Sequence, residues 1–122
     1  MKKENFDLEE RTLDFAVRIV VLCKKVKTDS ITVNTINQLL RSSTSVGANY
    51  REANGASSRK DFRNKMAICR KEAKESLYWL ELLERTEKIE VKELIKEVKH
   101  LVNIISKIIK TTDENTAKGN VK

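Results

Sequence analysis

Residues 41–62 read R-S-S-T-S-V-G-A-N-Y-R-E-A-N-G-A-S-S-R-K-D-F, and residues 65–83 continue K-M-A-I-C-R-K-E-A-K-E-S-L-Y-W-L-E-L-L. The first stretch has the pattern of a helix crowded with small residues toward its end. A turn around Gly55 follows, and then a long helix, basic at its start and apolar almost all round at its end. Gly47 costs about 1 kcal/mol of helix propensity relative to alanine. Close approach by a neighbouring helix is the physical reason to place it there.

The rest of the chain supplies faces for these two helices to pack against. Prolines are absent and glycines number three, so little interrupts helix formation. Charged residues make up 35% and apolar residues 39%. That suffices for a core when the apolar positions are periodic. It is too charged for a membrane protein, and no run of about 18 apolar residues occurs. Met1-Lys2-Lys3-Glu4-Asn5 leads into acidic residues rather than an apolar run, so no signal peptide is expected and the location expected is cytoplasmic. Cys23 and Cys69 fall within helical apolar patterns and read as buried small hydrophobes in a reducing compartment.

Four helices are predicted within a single domain over residues 1–110, at about 8–27, 31–53, 58–86 and 91–110; residues 111–122 read as a flexible tail. Asp7 with Glu10 resembles a capping box and Phe6 a staple for the first helix. Its apolar arc, Leu8, Phe15, Ile19, Leu22 and Val26 with Ala16, Val20 and Cys23 alongside, is wider than one bundle seam needs. Ser30 is the candidate cap of the second helix, whose stripe is Val33, Ile36, Leu39, Leu40, Ser43, Gly47 and Tyr50. Gly55 suits a left-handed helix end, and Ser58 with Asp61 caps the third helix. The third stripe is Phe62, Met66, Cys69, Ala73, Leu77, Leu80 and Leu83. The fourth runs from Val91 through Leu94, Ile95, Val98, Leu101, Val102, Ile105, Ile108 and Ile109. Long helices with short connections favour an all-α, antiparallel up-down-up-down four-helix bundle.

Two features exceed what a solitary bundle needs. Arg41, Ser45, Ala48 and Glu52 line up off the core stripe of the second helix, either as a solvated face or as a hydrogen-bonded contact with another helix or subunit. Tyr78, Trp79 and Leu82 lie away from the core stripe of the third, so that end of the helix should face another subunit. The expected subunit interface is Arg41, Ser45, Glu52, Tyr78, Trp79 and Leu82.

The net charge of +7 is concentrated. Residues 51–74 hold eight basic and three acidic groups, whereas residues 75–90 hold two and five. The basic row comprises Arg59, Lys60, Arg63, Arg70, Lys71 and Lys74. It reads either as a solvated face with pairs such as Lys71 with Glu75, or as a surface for the phosphates of RNA or DNA. No phosphate loop, zinc motif, nucleophile elbow or dinucleotide fingerprint occurs. His100 with Glu97 forms no second metal-type pair and points off the apolar face. No enzyme activity, metal or cofactor is expected.

With these residues laid out, the chain resembles the bacterial four-helix-bundle family of 23S rRNA intervening-sequence proteins over roughly Phe15 to Ile109. The carrying residues are Arg41, Ser42, Ser45, Val46, Ala48, Asn49, Tyr50, Glu52 and Ala53, then Gly55 to Phe62 and Glu75 to Leu83. The resemblance implies a homo-oligomeric ring, a pentamer, in accord with the surplus apolar surface. A related branch resembles the accessory protein of diversity-generating retroelements, which works beside a reverse transcriptase and binds nucleic acid. The expected function is non-enzymatic nucleic-acid binding by a multimer. The competing expectations are a protein-interaction scaffold and a subunit accompanying a reverse transcriptase.

Overall fold

The computed structural model describes residues 3–119, with side chains from Leu8 onward. Among the described residues there are four α-helices and no strand: α1 Lys3–Lys25, α2 Thr32–Asn54, α3 Arg59–Glu87 and α4 Lys92–Ala117. α1 packs on α2, α2 on α3, α3 on α4 and α4 back on α1, with no α1–α3 or α2–α4 backbone contact. Each helix therefore touches two neighbours around one shared core, as a four-helix bundle requires.

The core is assembled from the apolar periodicity. Phe15, Ile19, Leu39, Met66, Leu80, Leu83, Leu101 and Ile105 have no exposed surface. Each such side chain contributes about 1.5–3 kcal/mol relative to leaving it in water. The second helix corrects its expected stripe. Val33 is 41% exposed, and Val46, with no exposure, fills the core instead. Two lines at helical spacing run along α2. The one through Leu39, Val46 and Ala53 faces the core, whereas Gly47 turns toward α1. There a Cβ would stand 2.9 Å from Thr12 Oγ1 and 3.2 Å from Thr12 Cβ. The close approach expected at Gly47 is thus made by α1.

Four helix ends differ from expectation. α1 begins at Lys3 rather than near Leu8, so Asp7 is helical instead of capping; the expected staple at Phe6 lies outside the described side chains. The opening K-E-N-F-D-L contains no breaker, and its acidic residues favour the positive end of the helix dipole. At the start of α2 the cap is Asp29, not Ser30. Its carboxylate accepts from the backbone N–H of Ile31 and of Thr32, each at 2.9 Å, while Thr32 Oγ1 accepts from Asp29 N–H at 2.9 Å. A carboxylate reaches two orphan donors at once, which a serine hydroxyl one residue later does not. Gly55 is not left-handed. Its φ is −99°, and its N–H and that of Ala56 close tight turns onto Glu52 and Ala53 carbonyls.

Among the described non-glycine residues the left-handed one is Lys88, at φ 55°, after α3. It reverses the chain so that Ile89 and Val91 return to the core. The cap at Ser58 is as expected, its hydroxyl accepting from Asp61 N–H at 3.0 Å. Finally, α4 continues through residues 111–117, which the sequence reading placed in a tail. Thr112 and Thr116 hydroxyls return to the carbonyls of Ile108 and Thr112, and Asp113 pairs with Arg63 of α3. The extension is held by polar contacts, which hydrophobic periodicity does not register.

The two glycines make opposite predictions. Gly47→Val forces a side chain into Thr12 and lowers the free energy of unfolding by about 1–3 kcal/mol. Gly55→Ala meets nothing nearer than Glu52 O at 3.7 Å and raises stability by up to about 1 kcal/mol. Urea unfolding of both variants distinguishes these outcomes.

Candidate nucleic-acid interface

The expected basic row divides into two settings on α3. Arg63 and Arg70 converge on a shallow groove of about 480 Å³ between α3 and α4, shared with Ser106, Lys110, Asp113 and Glu114. Lys60 and Lys71 lie farther round α3 and are exposed, as is Lys74, while Arg59 is half-buried at the first turn. Among the described residues, no carboxylate lies within ion-pair distance of Arg59, Lys60, Arg70, Lys71 or Lys74. Lys71 acts on Glu75 only at longer range.

Arg63 is different. Its guanidinium donates to Asp113 through Nε at 3.0 Å and Nη2 at 3.1 Å, a two-pronged pair. That contact holds the Asp113 carboxyl below its ordinary range, with a smaller contribution from the Arg70 charge. Sequence reasoning missed Lys110 and Asp113 as parts of this site. The only signal was the unbroken chain after Ile109, without glycine or proline before Gly119.

The expected subunit-interface residues are largely engaged within the chain. Arg41 reaches across to α3, donating to Glu72 at 3.1 Å and closely to Glu75. Ser45 donates to the Arg41 carbonyl at 2.7 Å, and Glu52 accepts from Lys65 Nζ at 2.9 Å. Trp79 departs from expectation, because it packs against the core and its indole N–H donates to Glu75 at 3.1 Å. Glu75 thus joins the Trp79 indole to Arg41 of α2. Tyr78 is 58% exposed and stands edge-on to Trp79, with ring centroids 4.9 Å apart, and Leu82 is half-buried.

The surplus apolar surface is clearest on α1. Leu13, Val17 and Val21, four residues apart, are 45%, 50% and 46% exposed. Leu13 also lines a groove of about 360 Å³ between α1 and α2, with Thr12, Ala16, Gly47 and Ala48. On the α4 side of α1, Arg11 donates to Glu97 at 2.8 Å and meets His100 Nδ1 at 3.1 Å. The Glu97 and His100 side chains therefore serve an inter-helix contact.

No group of three or more potential metal-binding side chains occurs among the described residues, and no described helix is long and apolar enough to cross a membrane. Burial pushes the Cys69 thiol up to about 12 and the Cys23 thiol to about 11, leaving both in the neutral form.

The fold and surface define a small all-α protein with a cationic α3–α4 groove and an unpartnered apolar stripe on α1. The family described as 23S rRNA-intervening sequence protein matches residues 4–111, and the chain belongs to it. It is also similar to a protein of unknown function from the S23 ribosomal protein family of Bacteroides thetaiotaomicron, in its crystal structure. The two share 43% identity, with 84% of this chain and 97% of that one covered and a TM-score of 0.76. No curated protein matches the chain.

The Arg41 cluster yields a pH prediction. Hydrogen bonds from Arg41, first, and from the Trp79 indole hold the Glu75 carboxyl below its usual 4.5. A depressed folded value gives stability that is present above the unfolded value and lost as pH falls through the folded one. Unfolding free energy is therefore expected to decline below about pH 4.5. The emission of Trp79, the sole tryptophan, should titrate below that value. Arg41→Met should move this midpoint upward and cost about 1–3 kcal/mol at neutral pH, because Glu72 is left buried without its partner. Fluorescence titration and urea unfolding measure both effects.

Proposed function

We propose that this protein is a non-enzymatic, cytoplasmic, homo-oligomeric antiparallel bundle, a ring of the pentameric kind, that binds RNA or DNA through its basic α3 surface. The observation that carries the reading is the run of cations Arg59, Lys60, Arg70, Lys71 and Lys74, without a carboxylate at ion-pair distance among the described residues and joined at the α4 side by Lys110. Such a surface binds phosphate backbones electrostatically and with little sequence preference. Few aromatic side chains accompany it, so base stacking contributes little.

The antiparallel arrangement is supported by opposed pairings. Thr12 meets Gly47 while the earlier Glu9 meets the later Asn54, and Ser42 meets Ser76 while Glu52 meets Lys65. Self-association is supported by Leu13, Val17 and Val21, which a solitary bundle leaves in water. Repeating a modest basic patch around a ring would raise its effective affinity. A scaffold that binds other proteins is the second reading. It is favoured by the α1 stripe, and by Arg63 already being matched with Asp113.

Gel shifts with structured RNA and duplex DNA at rising salt separate the two readings. Binding at about 50 mM salt should weaken steeply as salt rises. Changing Arg59, Arg63 and Arg70 together to Glu should abolish it or flatten the log–log salt slope by about 2–3. A complex indifferent to these changes, or no complex at low salt, defeats the nucleic-acid reading. Light scattering should give a mass several times the 14.1 kDa chain, and a stable monomer defeats the ring.

A further inference from the structure

We propose that Asp113 is a built-in competitor for the phosphate-binding groove, a carboxylate that occupies Arg63 until a nucleic-acid phosphate displaces it. This rests on the nucleic-acid reading and assigns the α3–α4 groove as the place where one phosphate docks. The ligand is an RNA or DNA backbone phosphate, received by Arg63 and Arg70 from α3 and by Lys110 and Ser106 from α4.

Three observations support it. Both hydrogen bonds of Asp113 are made by the edge of Arg63 that carries Nε and Nη2. Arginine offers that same fork to the paired oxygens of a phosphate, so carboxylate and phosphate compete for one set of donors. Second, the pair is open to water, with side-chain exposures of 38% for Arg63 and 52% for Asp113. Exposed pairs of this kind contribute little to stability and separate at small cost. Third, Arg70, Lys110 and Ser106 line the same groove, so a phosphate replacing Asp113 meets further donors at once. Asp113 thus answers an attraction that the groove would otherwise direct at a ligand.

The arrangement lowers the working charge of the groove. Arg63, Arg70 and Lys110 are opposed by Asp113 and Glu114. Because the phosphate takes the place of Asp113 in the complex, removing that carboxylate adds no phosphate contact; it spares the cost of parting the pair, which appears as tighter binding at an unchanged salt slope. Loss of any one acidic group from the groove raises the net charge equally. Only loss of Asp113 frees a guanidinium. Asp113→Asn and Glu114→Gln therefore change charge alike and differ in geometry.

Fluorescence anisotropy of the full-length chain with a labelled duplex DNA and a structured RNA, from about 50 to about 200 mM salt, tests the idea. For Asp113→Asn binding to duplex DNA is expected to tighten by about threefold to fivefold at the lowest salt, with the log–log slope unchanged because the same phosphates are contacted. Glu114→Gln should tighten binding less than Asp113→Asn does, because it parts no ion pair. Circular dichroism should show the same melting behaviour for all three proteins. If the wild type binds and Asp113→Asn binds no more tightly, or the two variants behave alike, the competitor role is overturned while the nucleic-acid reading stands. If Asp113→Asn binds where the wild type does not, the competitor role is supported and binding by the unmodified chain fails. If no protein binds at the lowest salt, both fall.

Discussion

The seam between α2 and α3 is the constraint from which the rest of the structure follows. Ser76 places its hydroxyl 2.9 Å from that of Ser42, with both serines fully buried. Two short polar side chains meet there because larger ones would hold the helices apart, and each hydroxyl also reaches a carbonyl of its own helix, Ser76 that of Glu72 and Ser42 that of Leu39. Arg41, one residue before Ser42, then reaches Glu72 and Glu75. The small serines set the depth of the seam, and the guanidinium, tied to two carboxylates one turn apart, holds its register from outside. With α2 and α3 fixed, Phe15 and Ile19 of α1 and Leu101 and Ile105 of α4 complete a single core.

Much of this was legible in the sequence. The four helices could be read because apolar residues recur at three and four, and the Ser58 cap because serine and aspartate stand three apart. The misreadings share a physical cause. Leu39–Val46 and Leu40–Gly47 offer equally good periodic lines, and only the neighbour that approaches Gly47 decides between them. The end of α4 is maintained by threonine hydroxyls and a charge pair, and Gly55 adopts an ordinary backbone angle that any residue tolerates. Among the candidate site residues, the cations of α3 were visible as a cluster. Their partners were not, since Arg63 meets Asp113 across fifty positions of chain.

Charge in this molecule is therefore less uniform than its net value suggests. Arg41, Lys65 and Arg63 are matched across helix seams by Glu75, Glu52 and Asp113. Lys60, Lys71 and Lys74 face solvent, and neither they nor half-buried Arg59 have such a partner at close range among the described residues. The same helix thus uses basic side chains for two purposes, joining neighbours along its flanks and presenting a field outward. A basic composition alone does not distinguish these roles; the geometry of each guanidinium or ammonium does.

The turn at Lys88 has a mechanical corollary. It joins α3 to α4 through only four residues, with Ile89 and Val91 anchored in the core, whereas the far ends of the same two helices are tied by solvent-exposed Arg63 and Asp113. One end of the pair behaves as a pivot and the other as a latch. Thermal excursions that part these helices should start at the latch, leaving the pivot as the last contact to loosen.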